Sequence, residues 1–175
     1  VFKPALPFNI LIITETPDNQ AVDAKVAVNI TYLNKNLEQI SKDEKDVDTS
    51  GGKALIEVSP PANSVAMAIE AFELTPISSR EPAQASKVVE AGYSPSGNFI
   101  HVEQISQGTP KIGEEVRFKV YSTKEAANFY YEVVARDRVV FTDFTQSNII
   151  AFDTTPLMTP SARLLVYQIL PNSEV

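Results

Sequence analysis

The chain has 175 residues, 43% of them apolar, with 22 acidic against 15 basic side chains, a net charge of −7, and neither Cys nor Trp. The acidic balance, with no basic stripe anywhere, argues against nucleic acid or an anionic membrane as partner. The longest early apolar run, Ile10 to Ile13, is far too short to span a bilayer.

That length suits one large domain or two of about 90 residues. Val1-Phe2-Lys3-Pro4 is neither a start nor a signal sequence, so the chain is expected to be cut from something longer. Val26, Val28, Ile30 and Tyr32 then alternate with Lys25, Ala27, Asn29 and Thr31, the period-two pattern of a half-buried strand. Asn29 falls on the outer face and opens the sequon Asn29-Ile30-Thr31, which leans toward secretion and a glycan. The lack of Cys leans, more lightly, toward a reducing compartment. Leu33, Leu37 and Ile40 stand at i, i+4 and i+7 and predict a short helix, and the charge run from Lys42 to Asp46 predicts an exposed loop tip. Ala54, Ile56 and Val58 form a second alternating set, and Val65, Met67, Ile69 and Ala71 a third, after Pro60-Pro61.

From about Thr75 to Asn98 the chain holds Pro76, Pro82 and Pro95, several Ser residues, Gly92 and Gly97, which predicts a linker between two domains. Beyond it Phe99–Ile105, Val116–Val120, Tyr130–Ala135, Val139–Phe141, Ile149–Phe152 and Leu164–Leu170 read as strands. Turn signals such as Gly108-Thr109-Pro110 and Arg136-Asp137 divide them. Many short strands at such spacing predict an all-β chain of sandwiches rather than an α/β architecture.

Few constellations could carry chemistry. Asp46, Asp48, Ser50, Gly51 and Glu57 occupy positions 1, 3, 5, 6 and 12 of an EF-hand-like calcium loop. Against it, position 8 is Lys53, and the alternating strand that meets Pro60-Pro61 leaves no room for the second helix. The plainer reading is a turn at Asp48–Gly52 followed by a returning strand, Lys53 to Val58. His101 is the single histidine; with no Cys it cannot complete a closed zinc site, and no G-x-S-x-G elbow offers it a nucleophile. Glu114 and Glu115 are adjacent, so on a strand they face opposite ways and cannot act as an acid–base pair. Phe129-Tyr130-Tyr131 reads as core rather than as a stacking platform. With only six glycines, no phosphate-cradling loop occurs. No catalytic residue and no cofactor is therefore expected, and calcium-dependent adhesion stands as the alternative function.

Several segments in order resemble the α2-macroglobulin/complement family. Phe2-Lys3-Pro4-Ala5-Leu6-Pro7-Phe8, then Thr16-Pro17-Asp18-Asn19-Gln20-Ala21-Val22, is similar to the opening of the fourth macroglobulin domain, with Ala5 where the family has Gly. Either that turn does not need a positive φ, or Ala5 strains it. Ser96-Gly97-Asn98-Phe99-Ile100-His101-Val102 resembles the start of the fifth. Pro110–Val116, Tyr130–Val140 and Thr159-Pro160-Ser161-Ala162-Arg163-Leu164-Leu165-Val166-Tyr167 continue the series.

The resemblance implies two tandem immunoglobulin-like, macroglobulin-type antiparallel β-sandwiches of about seven strands each, residues 1–91 and 92–175. It implies a non-catalytic part of a secreted thioester-containing innate-immunity protein, a complement-like opsonin or a protease-trapping inhibitor. The partners it implies are the other macroglobulin domains of the same parent, together with proteases, target surfaces or immune proteins. The thioester, made from a Cys-Gly-Glu-Gln segment, and the protease-cleaved bait region are expected outside this chain. So is one strand of each sandwich, which would leave each with an unpaired edge.

Overall fold

The computed structural model describes residues 1–76, 80–125 and 127–175. They fold as two compact units, Val1–Pro95 and Ser96–Val175. Each unit is a pair of antiparallel sheets closed over a core, so the chain is all-β, built from immunoglobulin-like sandwiches.

In the first unit one sheet has the order β3-β2-β5-β6, from Gln39–Asp48 (β3), Lys25–Leu33 (β2), Ala66–Glu73 (β5) and Gln84–Glu90 (β6). The facing sheet pairs Phe8–Ile13 (β1) with Lys53–Val58 (β4). β2 shows the cause of the fold most directly. Val26, Val28, Ile30 and Tyr32 are buried while the residues between them are not. Ile10, Ile12, Ile56 and Val58 from the other sheet meet them, with Met67 and Ile69 of β5. Each such side chain removed from water contributes about 1.5–3 kcal/mol. Phe2, fully buried, plugs one end: it bridges Ala91 in parallel, takes Glu90 O through its N–H and accepts from Gly92 N–H.

The second unit has sheets β10-β9-β12 and β11-β8-β7. These are Arg138–Thr145 (β10), Phe129–Ala135 (β9), Arg163–Tyr167 (β12), Ile149–Asp153 (β11), Glu115–Ser122 (β8) and Ile100–Gln104 (β7). Its core is largely aromatic: Phe152 stacks on Phe118 at 6.0 Å and on Tyr131 at 6.2 Å, beside Val120 and Ile150.

Four local expectations differ from the structure. Leu33, Leu37 and Ile40 do not form a helix. Leu33 ends β2, and Asn34 folds a tight turn by accepting the N–H groups of Asn36 and Glu38 on its side-chain oxygen, leaving Leu37 exposed at φ 62°. The charge run Lys42–Asp46 is not a loop tip but the middle of β3, an edge strand with one side open to water. The stretch 75–98 is not wholly a linker: Gln84–Glu90 within it is β6, paired along β5 from Ala66 to Phe72, while residues 77–79 lie outside the described residues. Finally, β3 and β4 are not a hairpin. After the Asp48–Gly52 turn β4 crosses to the other sheet and pairs with β1. Among the described residues each unit has six strands, against about seven anticipated.

Candidate functional site

The calcium-loop residues sit on three different elements. Asp46 and Asp48 lie on β3, where Asp48 faces Lys25 across the ladder with the charges 3.7 Å apart. Ser50 is in the turn, bonded to Lys53 in both directions. Glu57 is on β4 in the opposite sheet, and Lys45 Nζ donates to its backbone carbonyl at 2.7 Å. Residues that would have to curl round one cation are instead held extended on two separate ladders. Among the described residues no group of three or more His, Cys, Asp or Glu converges as a metal site would require.

The turn between them is fixed by packing. Gly52 is buried at φ 72°, its N–H donates to Asp23 Oδ1 at 2.8 Å, and an added Cβ would lie 2.8 Å from Thr14 O. Thr49, also buried, ties the turn to the loop above. Its hydroxyl meets the Thr14 hydroxyl at 2.8 Å and accepts Ala24 N–H at 2.8 Å. Neighbouring Thr16 donates to Asp18 Oδ1 at 2.6 Å, which holds that carboxyl below its ordinary pKa.

Asn29 is half-buried in the middle of β2, in register with Glu44 on one side and Glu70 on the other. His101, half-buried on β7, has its ring 5.9 Å from Tyr121. Glu114 accepts Lys111 N–H, and Glu115 points toward Arg117 at 3.6 Å; both are spoken for by the turn and strand they begin. Tyr131 is in the core. Tyr130 lies on the opposite face, stacked on Tyr167 at 5.6 Å and tilted toward Phe144 at 6.1 Å.

Sequence reasoning missed a cleft of about 630 Å3 in the first unit. Its walls come from the end of β1 (Ile12, Ile13), the loop holding Thr14 and Glu15, Val26 of β2, Phe72 of β5 and Ala85 of β6. Glu73 and Arg80 stand at its mouth, 2.8 Å apart. The Ala83 N–H, and then Arg80, hold the Glu73 carboxyl below its usual pKa. No short motif could announce a surface gathered from four separated segments.

Comparison with known proteins adds two findings. Residues 100–175 match the family model described as the alpha-2-macroglobulin bait region domain. The chain is also 24% identical over 186 residues to complement C3 of Eptatretus burgeri, an alignment covering 99% of this chain. The chain spans only 11% of that protein's length. Both findings support the α2-macroglobulin/complement family, in which domains of this kind are non-catalytic. The matched model bears the name of the bait region, which the resemblance had placed elsewhere, and it covers the second unit from β7 onward.

Proposed function

We propose that this chain is a pair of tandem macroglobulin-type domains, fourth-like over 1–91 and fifth-like over 92–175, in a secreted thioester-containing innate-immunity protein. The observation that carries the reading is the alignment to a complement C3 along 99% of the chain, across both sandwiches. The role is structural and interactive: rigid sandwiches hold their place in a ring of macroglobulin domains and offer surface to proteases, target surfaces or immune proteins. The bait-region description of the second unit adds weight to a protease-trapping member beside an opsonin. Among the described residues no helix is long and apolar enough to cross a membrane. Extracellular placement agrees with the family and with the sequon at Asn29, on the face of β2 away from the core.

The native full-length protein provides the test. A thioester is opened by a small amine, which forms an amide and frees one thiol. Methylamine is expected to be incorporated once per chain with release of one titratable thiol; no incorporation overturns the thioester-containing assignment. The rival reading is a calcium-dependent adhesion module using Asp46, Asp48 and Glu57. Isothermal titration with calcium separates the two, since tight binding abolished by Asp46→Ala and Asp48→Ala would favour adhesion.

A further inference from the structure

The chain has neither Cys nor Trp, and its two Met residues, Met67 and Met158, are buried. The side chains that elsewhere yield an electron first are therefore missing or shielded, which leaves the six tyrosines to take a one-electron oxidation. Among the described residues four of the six make no ring contact with another tyrosine. Tyr32 and Tyr131 are buried in the two cores, and the rings beside Tyr131 are those of Phe141 and Phe152. Tyr121 lies beside His101 with Lys119 Nζ 4.9 Å over its ring, and a cation there opposes the loss of an electron. Tyr93, 90% exposed, stands near the end of the first unit.

Tyr130 of β9 and Tyr167 of β12 are the exception. They are direct partners in the antiparallel ladder and both half-buried, with ring centroids 5.6 Å apart and planes 20° from parallel. Tyr131, next in sequence, is the one that turns inward, so the pair lies on the face away from the core. Phe144 of β10 stands on the other side of Tyr130 at 6.1 Å, and it offers no phenol to share a radical. Directly opposite residues of such a ladder hold their Cβ atoms about 4.5–5.5 Å apart, a span that two phenol rings joined to each other can bridge. Pairing from Arg163 to Tyr167 fixes the register of β12 on β9, so the rings meet without a search.

We propose that Tyr130 and Tyr167 form an oxidative cross-linking site, at which hydrogen peroxide and a peroxidase-type one-electron oxidant join the two rings as a biphenol. Each tyrosine gives up one electron and its phenolic proton. The two radicals couple through ring carbons next to the oxygens, and the hydrogens on those carbons then pass as protons to the phenol oxygens. One carbon–carbon bond forms and two aromatic C–H bonds break, while two electrons and two protons reduce one peroxide to two waters. The product ties β9 to β12 and closes the chain from Tyr130 to Tyr167 into a loop, which restricts the unfolded state as a disulfide does. The site stands on the ladder of the second unit and does not depend on the family reading.

The dilute chain is treated with a haem peroxidase and limiting hydrogen peroxide, and the monomer is isolated by size exclusion and digested with trypsin. Blue dityrosine fluorescence is expected in the monomer. A joined pair of peptides, Glu125–Arg136 with Leu164–Val175, should be lighter than their sum by two hydrogens, with fragment ions placing the bond on Tyr130 and Tyr167. Tyr130→Phe and Tyr167→Phe each keep a ring in place, so the sheet is retained, and each should abolish the monomer's dityrosine. Tyr93→Phe should leave the monomer signal unchanged and lower only that of cross-linked dimers. Dityrosine confined to dimers, a bond that maps to Tyr131, or a monomer signal that survives either of the first two substitutions overturns the site. The cross-linked monomer should also show a Tm for its second unit raised by about 5 °C or more; an unchanged Tm overturns the claim that the bond strengthens the sheet.

Discussion

Tyr32 Oη donates to Asp43 Oδ2 at 2.7 Å, so the largest fully buried side chain of the first core is bonded to a carboxylate on an edge strand. Tyr32 and Ser41 are direct cross-strand partners, while Asp43 faces Ile30 two residues along, so the bond is a diagonal tie between β2 and β3. It allows a charge to sit on the inner face of β3 without being stranded.

Replacing Tyr32 by Phe removes that partner and leaves the Asp43 carboxylate half-buried with its acceptor unmet. A hydrogen bond to a charged group is worth about 1.5–3 kcal/mol, so Tyr32→Phe is expected to cost about 2 kcal/mol at neutral pH in urea unfolding of the first unit. The pH dependence separates this from a simple loss of contact. Burial first, then the Asp43 bond and charge, raises the Tyr32 pKa above its ordinary value. Unfolded tyrosines ionise near pH 10, so above that pH the unfolded state has released a proton that the folded state retains, and stability falls as pH rises. Tyr32→Phe should flatten this alkaline decline in the first unit. Tyr131, raised by burial and then by Asp143, maintains the decline in the second.

Gly52 is far more constrained than Gly51, Gly97, Gly108 or Gly113, round which a Cβ would meet nothing. At φ 72° a Cβ would lie 2.8 Å from the Thr14 carbonyl and 2.9 Å from Ala21 Cβ, and the carbonyl is backbone that cannot rotate away. Left-handed strain and overpacking together put Gly52→Ala at about 2–4 kcal/mol of destabilisation. Gly51, next in line at φ 59° with open space round it, should bear the same change at little more than the backbone cost. Thermal denaturation of the pair checks the difference.

The sandwich was legible where burial is regular, as in β2, because a period of two survives with no tertiary knowledge. It was not legible where an edge strand is polar on both faces. Gln84–Glu90 contains only one half-buried residue, Val89, and reads as linker; β3 carries Asp43 and Lys45 inward and reads as a loop. Those charges are tolerated only because partners on other strands, Tyr32 and the Glu57 carbonyl, meet them, and no local pattern shows a partner eleven or twelve residues away. The turn at Asp48–Gly52 was legible from its residues, but the destination of β4 was not, since a turn does not say which sheet the next strand joins. The cleft has the same difficulty multiplied over four segments.

Ala5 resolves the choice left open by its departure from the family pattern. It adopts φ 64°, so the turn does need the left-handed region, and an L residue there is strained. Its N–H to Pro60 O, at 2.8 Å, holds it in place, and its side chain is exposed. Ala5→Gly loses no packing and is expected to stabilise the first unit by about 0.5–1 kcal/mol, after allowing for the greater freedom of Gly in the unfolded chain. For a domain of this size that is a rise of a few degrees in Tm. A lower Tm for Ala5→Gly would contradict the strain.

Glu73 links the mouth of the cleft to acid stability. Its carboxylate accepts Ala83 N–H at 3.1 Å and Arg80 Nη2 at 2.8 Å, and those two bonds hold the segment that leads into β6. The folded-state pKa is lowered, with the Ala83 bond the largest cause. A depressed carboxyl adds stability above its unfolded pKa, and that stability is lost as pH falls through the folded value. Between neutral pH and pH 3 the amides of Ala83 and β6 should therefore lose exchange protection in the wild-type chain. Glu73→Gln should start from lower protection at pH 7 and change less on acidification, because the charge that titrates is gone. Should the two proteins show parallel acid profiles, Glu73 is not the group that couples this strand to pH, and the depressed carboxyl of Asp18 in the neighbouring loop is the next to replace.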